Sequence, residues 1–427
     1  MRTSSCEVPV ILLDGHLSSS LAAIRSLGSR GVPVCVGSHR ATAMGLYSRY
    51  AASRFCYPSP LSDRAGFIQA VRAQVDRLGK AVLLAFSDST LLPLLDDSVT
   101  VSGQLKYLYP PNRQLLDIAF DKGRTLSLAQ ELGIPVPETY DCQDIEDVCR
   151  VAQQLSFPIV LKPRSTVSWA GNRGVQQTAS FAFSESELRK KCLWAFKETR
   201  QIPLIQQFVR GEEVGVEFIC EEGRPIAVCA HRRIRSASPR GGASVVNETI
   251  PEAYCGIGNL ARRLLSSLRW NGPAMVEFKI CQETRRPQLM EINGRFWGSL
   301  PLAVAAGVDF PFLFYRLAMG AKVPSNFCYR TGIKTRSFIG DAVHLVKTLF
   351  HKDDLRAILY PTRKQAIWKF INASFTCRPA VFDGRDALPS GVQLIDALNS
   401  YSNGAISKLV GQRAIHFYKA HFLSTAE

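Results

Sequence analysis

Two carboxylates and an amide stand close together in the runs Met275-Val-Glu-Phe-Lys-Ile and Leu289-Met-Glu-Ile-Asn-Gly-Arg295. Period-two alternation puts Glu277 with Met275 and Lys279 on one strand face, and Val276, Phe278 and Ile280 on the other. The second run sets Glu291, Asn293 and Arg295 on one face, and the polar linker 281–287 suits a hairpin loop. Carboxylate and amide oxygens are good hard-cation ligands, and magnesium is usually shared with nucleotide phosphates. A guanidinium two residues on can meet an anion that the same metal holds. A solvated hairpin with ordinary surface carboxylates is the competing reading of this segment alone.

Three further stretches place charge where chemistry can use it. Lys162 ends an apolar run over 158–163 and precedes a loop holding Ser165, Trp169, Gly171 and Gly174. Such a lysine reaches phosphates as a point charge, and the glycines let the backbone fold its N–H groups over them. The GxxxxGK[ST] loop is absent, and a strand-end lysine is more often a surface residue. Next, a strand reaches Gln206-Gln207-Phe208-Val209, turns at Arg210-Gly211 and restarts at Glu212-Glu213. Backbone groups at such a hinge can read an adenine edge, and the carboxylate beyond can accept ribose hydroxyls. A plain hairpin with a wet, acidic start is the alternative. Last, His231-Arg-Arg-Ile-Arg235 leads into Ser238-Pro-Arg-Gly-Gly-Ala-Ser244, a basic strand end and glycine loop suited to an anionic substrate. His231 by itself reads as structural.

These residues need a scaffold. Residues 8–13, 18–29 and 32–37 read as strand, helix and strand, with Asp14-Gly15 in the turn and Ser18, Ser19 and Ser20 as helix caps. The dinucleotide fingerprint GxGxxG is missing there. A further strand covers 81–86, ahead of Ser87-Asp88-Ser89. Pro110-Pro111-Asn112 marks a boundary. Beyond it the pattern predicts one helix over 113–132 carrying Asp121-Lys122, then a helix over 145–155, the Lys162 strand and a helix over 185–196. Strands over 204–208, 213–220 and 225–231, a helix over 259–268 and the acidic hairpin follow.

In this order the pieces resemble the ATP-grasp superfamily of carboxylate–amine (or thiol) ligases, above all the relatives of carbamoyl-phosphate synthase large subunit and D-aspartate ligase. The likeness covers residues 1–325 and is strongest after Pro111. It implies an α/β and α+β protein: a Rossmann-like (pre-ATP-grasp) domain over 1–110, a two-lobed ATP-grasp domain over 111–325 hinged near 206–213, and a C-terminal extension over 326–427. By position, it implies that Lys122 and Lys162 serve the phosphate and adenine sides. The loop from Ser165 through Gly171 and Gly174 would close over the triphosphate. Gln206 stands where many members have a glutamate near the adenine amine. The Gln207 and Val209 backbones would read adenine, and Glu213 would hold ribose. Glu277, Glu291 and Asn293 would bind Mg²⁺, as two ions with Mn²⁺ as a substitute, and Arg295 would steady an acyl phosphate. His231, Arg233, Arg235, Arg240, Gly241, Gly242 and Arg295 fall on the substrate side, with Lys162 and Arg295 as the catalytic pair. The implied reaction uses ATP to activate an anionic carboxylate as an acyl phosphate and joins it to an amine, releasing ADP and phosphate. Activation of bicarbonate or carbamate is a close alternative, although no Met-Lys-Met biotin segment is present. A silent nucleotide-binding protein is a further one, against which two neighbouring carboxylates argue.

Bulk properties narrow the classes. The formal net charge is +16, but Lys and Arg are spread without a polybasic block, and no nucleic-acid reader motif accompanies them. A nucleotide triphosphate would use part of that charge, and solubility or membrane-surface attraction the rest. Twelve cysteines, with no CxxC pair, read as reduced core residues. The apolar stretch 300–319 is broken by Asp309, Pro311 and Arg316, so no run spans a bilayer. With no signal segment at the start, the cytoplasm is the expected location. Residues 326–427 mix Arg336, Lys347, Lys352, Lys364, Trp368, Lys369 and Phe370. They allow a lid, a homodimer contact or a membrane-surface patch, with a solvated face as the ordinary reading.

Overall fold

The computed structural model describes residues 7–96, 105–106, 113–238, 241–325, 328–350 and 361–399. Near the N-terminus, short continuous apolar runs form a parallel sheet, as strands covered on both faces do. Its strands are β1 (Val10–Leu12), β2 (Val34–Ser38), β3 (Ser53–Cys56), β4 (Ala81–Leu84) and β5 (Leu105–Lys106), ordered β3-β2-β1-β4-β5. Strand order reverses between β1 and β4, which leaves a crevice at their carboxyl ends. Asp14 and Asp88 follow those two ends. The serines expected to cap the first helix, Ser18–Gly28, do not: its N-cap is Leu17, and Ser20 Oγ donates to Leu13 O at 3.3 Å.

The single helix expected over 113–132 is two, Arg113–Phe120 and Lys122–Glu131. Asp121 interrupts it, its extended backbone forming the N-cap and its carboxylate accepting the Arg124 N–H. The Lys122 N–H donates to Arg164 O at 2.8 Å, which ties the new helix start to the following lobe.

That lobe is small. β6 (Thr139–Tyr140) and β7 (Ile159–Lys162) come first, then the separate hairpin β8 (Val167–Ala170) and β9 (Arg173–Gln176), then β10 (Ser180–Ala182) and β11 (Leu204–Gln207). The antiparallel sheet is ordered β10-β7-β11-β6. Val148, Leu161, Ala182, Leu188 and Ile205 form a core private to this lobe.

The remaining strands build a seven-stranded sheet. They are β12 (Gly211–Glu221), β13 (Arg224–Ser238), β14 (Gly241–Ile250), β15 (Gly272–Cys281), β16 (Pro287–Asn293), β17 (Lys334–Arg336) and β18 (Arg378–Pro379), ordered β16-β15-β12-β13-β14-β17-β18. One face is apolar: Val214, Val216, Phe218, Val276, Phe278 and Ile280 pack with Ala261 and Leu264 of helix Ile257–Ser267. Ile11, Leu13 and Leu83 of the N-terminal sheet join the same core. Phe86, Phe296, Trp297 and Phe310 join a second shared core. The two large sheets are therefore welded together. Helices Leu300–Ala306 and Phe310–Ala318 contribute to that weld and are bent by 94°; no single helix among the described residues is long and apolar enough to cross a membrane.

Two expected boundaries move. The glycine loop over 236–244 is a β-hairpin instead, because the Arg232↔Glu248 and Arg233↔Asn247 pairs carry the ladder to Ser238↔Gly241. Arg240, at its tip, lies outside the described residues. The central sheet also does not end near 325. β17 pairs with β14 and β18 with β17, so the extension completes the sheet. The extension is further latched to the N-terminal part by buried Asp386, which accepts from Arg25 Nε (2.9 Å), Ser48 Oγ (2.8 Å) and Arg49 N (2.9 Å). The boundary expected at 110–111 lies outside the described residues. The described cysteines are all free thiols; Cys35, Cys142, Cys192, Cys220 and Cys229 are buried as expected, whereas Cys56 and Cys328 are exposed and are not core residues.

Candidate active site

The polar face of the central sheet carries side chains in rows set by strand register, since residues directly opposite share a face. One row runs Glu291, Glu277, Gly215, His231. The next runs Asn293, Met275, Glu217, Cys229. On the other side of the first row, Lys279 lies opposite Glu213. β16 has one residue more than its partner here: Glu277 pairs with Glu291 but Phe278 pairs with Leu289. The extra residue, Met290, makes a bulge, a device that re-aims side chains at a sheet edge.

The expected cations meet this edge. Lys122 Nζ lies 3.2 Å from Glu291 Oε2. Lys162 Nζ donates to the Met290 carbonyl at 3.4 Å. Asn293 Nδ2 donates to Glu277 Oε1 at 3.0 Å and to Glu291 Oε1 at 3.3 Å. Arg295 lies past the end of β16, yet its Nη2 reaches back to Asn293 Oδ1 at 3.2 Å. The sequence-expected group of Lys122, Lys162, Glu277, Glu291, Asn293 and Arg295 is thus brought together.

The electrostatics follow from that crowding. Burial pushes Glu291 up, but the Lys122 and Lys162 ammoniums outweigh it and hold the carboxyl down to about 2. Glu277 moves the other way: burial raises it, and the Glu291 and Glu213 carboxylates add to burial against the Arg233 guanidinium. Burial pulls Lys162 down to about 8, with Glu291 opposing and Lys122 assisting. Burial also works against the charge of Lys122, but Glu291, Asp88 and Glu277 raise it overall.

The donor set suits a hard divalent cation. Two carboxylates face each other in register, and the hydrogen-bond donor now lying between them is a neutral amide nitrogen, a role that a cation would take over. Among the described residues no three His, Cys, Asp or Glu side chains gather to hold a metal. Two carboxylates and an amide leave the other ligand positions to phosphate oxygens and water.

Two residues at the site were given no role by the sequence. Arg295 Nε lies 2.6 Å from Asp88 Oδ1, and the Phe86 ring stacks on Phe296 at 5.3 Å. Asp88 carried a signal, its place after a strand where sheet order reverses. Lys279 is the other. Its Nζ donates to Val209 O at 3.2 Å, lies 3.6 Å from Glu213 Oε1 and sits 5.1 Å from the centre of the Phe208 ring. Its signal was the face it shares with Glu277.

The hinge end is more heavily prearranged than expected. Gln206 is buried, with Nε2 donating to Thr139 Oγ1 at 2.8 Å. The Gln207 N–H donates to Glu138 O at 2.9 Å, so that donor of the expected adenine reader is spent on the β6 side. Glu213 Oε2 lies 2.6 Å from Arg233, whose other Nη reaches Glu277 Oε2 at 3.6 Å. Burial raises Glu213, but Arg233 and Lys279 bring it below the usual carboxylate range. A cavity of about 720 Å³ opens here, lined by Phe181, Phe208, Glu213, Arg233, Lys279 and Lys369 among others.

Three expectations need correction. Arg235 is not a free cation: it lines the cavity, but its guanidinium grips buried Asp341 with two bonds of 2.7 and 2.9 Å. His231 is buried too, 3.2 Å from Glu217 Oε1 and 3.4 Å from Ser299 Oγ. It leans over Gly215, where a Cβ would come within 2.6 Å of its Cε1. The glycine segment is not an open loop. Ser165 Oγ donates to Phe120 O at 3.2 Å, and Gly171 (φ +60°) makes the turn between β8 and β9. The Gly174 N–H donates to Leu61 O at 2.8 Å, while Asn172 Oδ1 accepts the Ala65 N–H at 2.8 Å. The hairpin is thereby docked on the start of helix Arg64–Leu78, and that glycine N–H is not offered to a phosphate. Gly241 and Gly242 open β14, where Gly242 O accepts Arg233 Nη1 at 3.4 Å.

Residues 199–338 match the family described as ATP-grasp in the biosynthetic pathway with Ter operon. A relative, the arginine-specific large chain of carbamoyl phosphate synthase from Geobacillus stearothermophilus, is 27% identical over 202 residues, which are 45% of this chain and 19% of that protein. The chain thus spans about a fifth of that relative's length. Biotin carboxylase from Campylobacter jejuni, solved as a β,γ-ATP complex, superposes with a TM-score of 0.60 at 15% identity, over 77% of this chain and 74% of that one. L-amino acid ligase from Bacillus licheniformis gives 0.55 at 17% identity, over 77% and 78%. The family match places an ATP-grasp segment over residues 199–338, and the two solved structures share the fold of the chain around it.

Proposed function

We propose that this protein is an ADP-forming carboxylate–amine ligase. The observation that carries the reading is the convergence of Lys122 from a helix, on the Glu291 carboxylate directly opposite Glu277, and of Lys162 from the small lobe, on the adjacent Met290 carbonyl. The ligand needed to join these groups is a metal-loaded triphosphate. Bound Mg²⁺ would neutralise phosphate charge during in-line transfer, held by Glu277, Glu291 and Asn293, as two ions replaceable by Mn²⁺. Lys122 and Lys162 meet phosphate oxygens as point charges. The terminal phosphoryl group passes to a substrate carboxylate, giving a mixed anhydride and ADP. An amine nitrogen attacks the acyl carbon, loses a proton and expels phosphate, leaving an amide. Arg295, fixed by Asp88 and Asn293, faces the oxyanion that forms on attack. The docked β8–β9 hairpin keeps water from the anhydride.

The likeness to the carbamoyl phosphate synthase large chain supports a second reading, in which the activated group is bicarbonate or carbamate. A panel of organic acids and amines, with and without bicarbonate, separates the two. ADP and phosphate should appear only with the correct acid, and mass spectrometry identifies the product. Release of AMP and pyrophosphate would defeat the acyl-phosphate route.

A further inference from the structure

Two neighbouring helices of the C-terminal extension are inside out. Helix Phe338–Leu349 buries its polar residues Asp341, His344 and Thr348, and leaves Phe338, Val343 and Val346 exposed, with Phe350 at its end 75% exposed. Asp341 is held inward by Arg235 and Arg336, and His344 Nδ1 lies 2.8 Å from Ser236 O. Helix Arg363–Thr376 is well anchored: it starts with a Thr362/Gln365 capping box, and Phe370 lies under the Arg336 guanidinium at 4.1 Å. It turns small Ala366 and Ala373 inward, while Ile367, Trp368, Ile371 and Phe375 face water, the last 84% exposed. Positions 367, 371 and 375 repeat every four residues and so form one stripe. The two helices lie side by side, with Phe338 and Phe370 5.8 Å apart. A soluble protein normally does the reverse with helices of this composition.

The rim of the stripe is basic. Residues 361–382 hold no acid; Arg363 and Lys364 stand one turn before Ile367 and Trp368, Arg378 follows the helix, and Lys347 stands on the neighbouring helix, while Lys369 faces the cavity. Aromatic and aliphatic side chains framed by cations fit the headgroup zone of an anionic bilayer. A second copy docking about a two-fold axis would set this basic rim against itself. The chain's own residues 400–427 are no better matched, with Lys408, Arg413 and Lys419 against Glu427 alone. We propose that these two helices seat the protein on an anionic lipid surface, without spanning it. Ala366 and Lys369 of the same helix also line the cavity beside Glu213, so the seated protein would carry its cleft close to the lipid.

Co-sedimentation of the full chain with vesicles tests this. Vesicles of phosphatidylcholine with about one-third phosphatidylglycerol should bind it at least about tenfold better than phosphatidylcholine alone, an advantage that high salt removes. The pair Trp368→Ser and Ile371→Ser, and separately the pair Arg363→Glu and Lys364→Glu, should each cut the partition coefficient by about tenfold or more. Circular dichroism should stay unchanged, because all four side chains lie at the surface. Equal binding to both vesicle types, no binding, or variants that bind like the parent would overturn the proposal. So would light scattering that shows a dimer dissolved by the Trp368→Ser and Ile371→Ser pair, which would assign the face to a second copy. ADP formation is not read in this experiment, so its outcome is independent of the ligase reading.

Discussion

The two ends of the cleft are built differently. At the carboxylate end, position comes from backbone register: Glu291, Glu277, Gly215 and His231 line up because three strand pairs are in step. The group is then gripped from three sides, by Lys122, by Lys162 and through Arg295 by Asp88. At the hinge end, register likewise sets Lys279 opposite Glu213, but the ends of these long side chains are held by pairing with one another. Glu213 is shared by Arg233 and Lys279, and Lys279 also holds the Val209 carbonyl. Ladder geometry resists change, whereas long-armed ion pairs can regroup around a ligand. On the ligase reading, chemistry is expected at the rigid end and recognition at the adjustable one.

The sharpest way to break that comparison is Glu291→Gln. It should lower ADP formation by about 10³-fold or more, with the circular dichroism of the parent kept and the thermal midpoint lowered, because Lys122 and Lys162 lose their counter-charge. Parent-like turnover would remove the metal assignment. Asp88→Asn should come next. It frees Arg295 without touching the carboxylates, so kcat should drop by about 10²-fold while the KM for ATP holds. Gly215→Val drives a branched side chain into His231, which should cost about 1–3 kcal/mol of stability by overpacking and raise the Mg²⁺ requirement. Lys279→Met probes the adjustable end. The KM for ATP should rise by about tenfold at most, with kcat nearly unchanged; a collapse in kcat would erase the distinction between the ends. The smallest effect is that of pH. Lys162 titrates near about 8 in the free protein, so it is cationic below that value and neutral above it. Nucleotide affinity, measured by calorimetry, should weaken as pH rises through that value, and Lys162→Met should flatten the curve.

Much of the rigid end was legible in the sequence, because strand alternation fixes which side chains share a face. Glu277 and Glu291 share a face of neighbouring strands as the alternation predicts, although it is the bulge at Met290, not visible in the pattern, that sets them directly opposite each other. Lys122 was visible as well, though not the helix break at Asp121 that presents it. Long-range partnership was not legible. Asp88 and Arg295 are 207 positions apart, and only the shared core of the two sheets brings them into contact. Local composition misled at Gly171 and Gly174, where glycine suggested freedom and the structure uses it for a tight turn and for clearance under Trp169 and Leu61. The same holds for Arg235, whose partner Asp341 lies in the extension that the sequence left unread.

The docking of the β8–β9 hairpin bears on tempo. Its tip is held by a handful of solvent-facing polar bonds to residues 61–65, and by Arg64 over the Trp169 ring at 5.3 Å. Its base meets Lys122 through Thr166 Oγ1 at 3.5 Å. On the ligase reading proposed above, a nucleotide leaving by that flank would have to undo these bonds first, and exchange of ADP, rather than making or breaking the anhydride, is then the expected slow beat of the cycle.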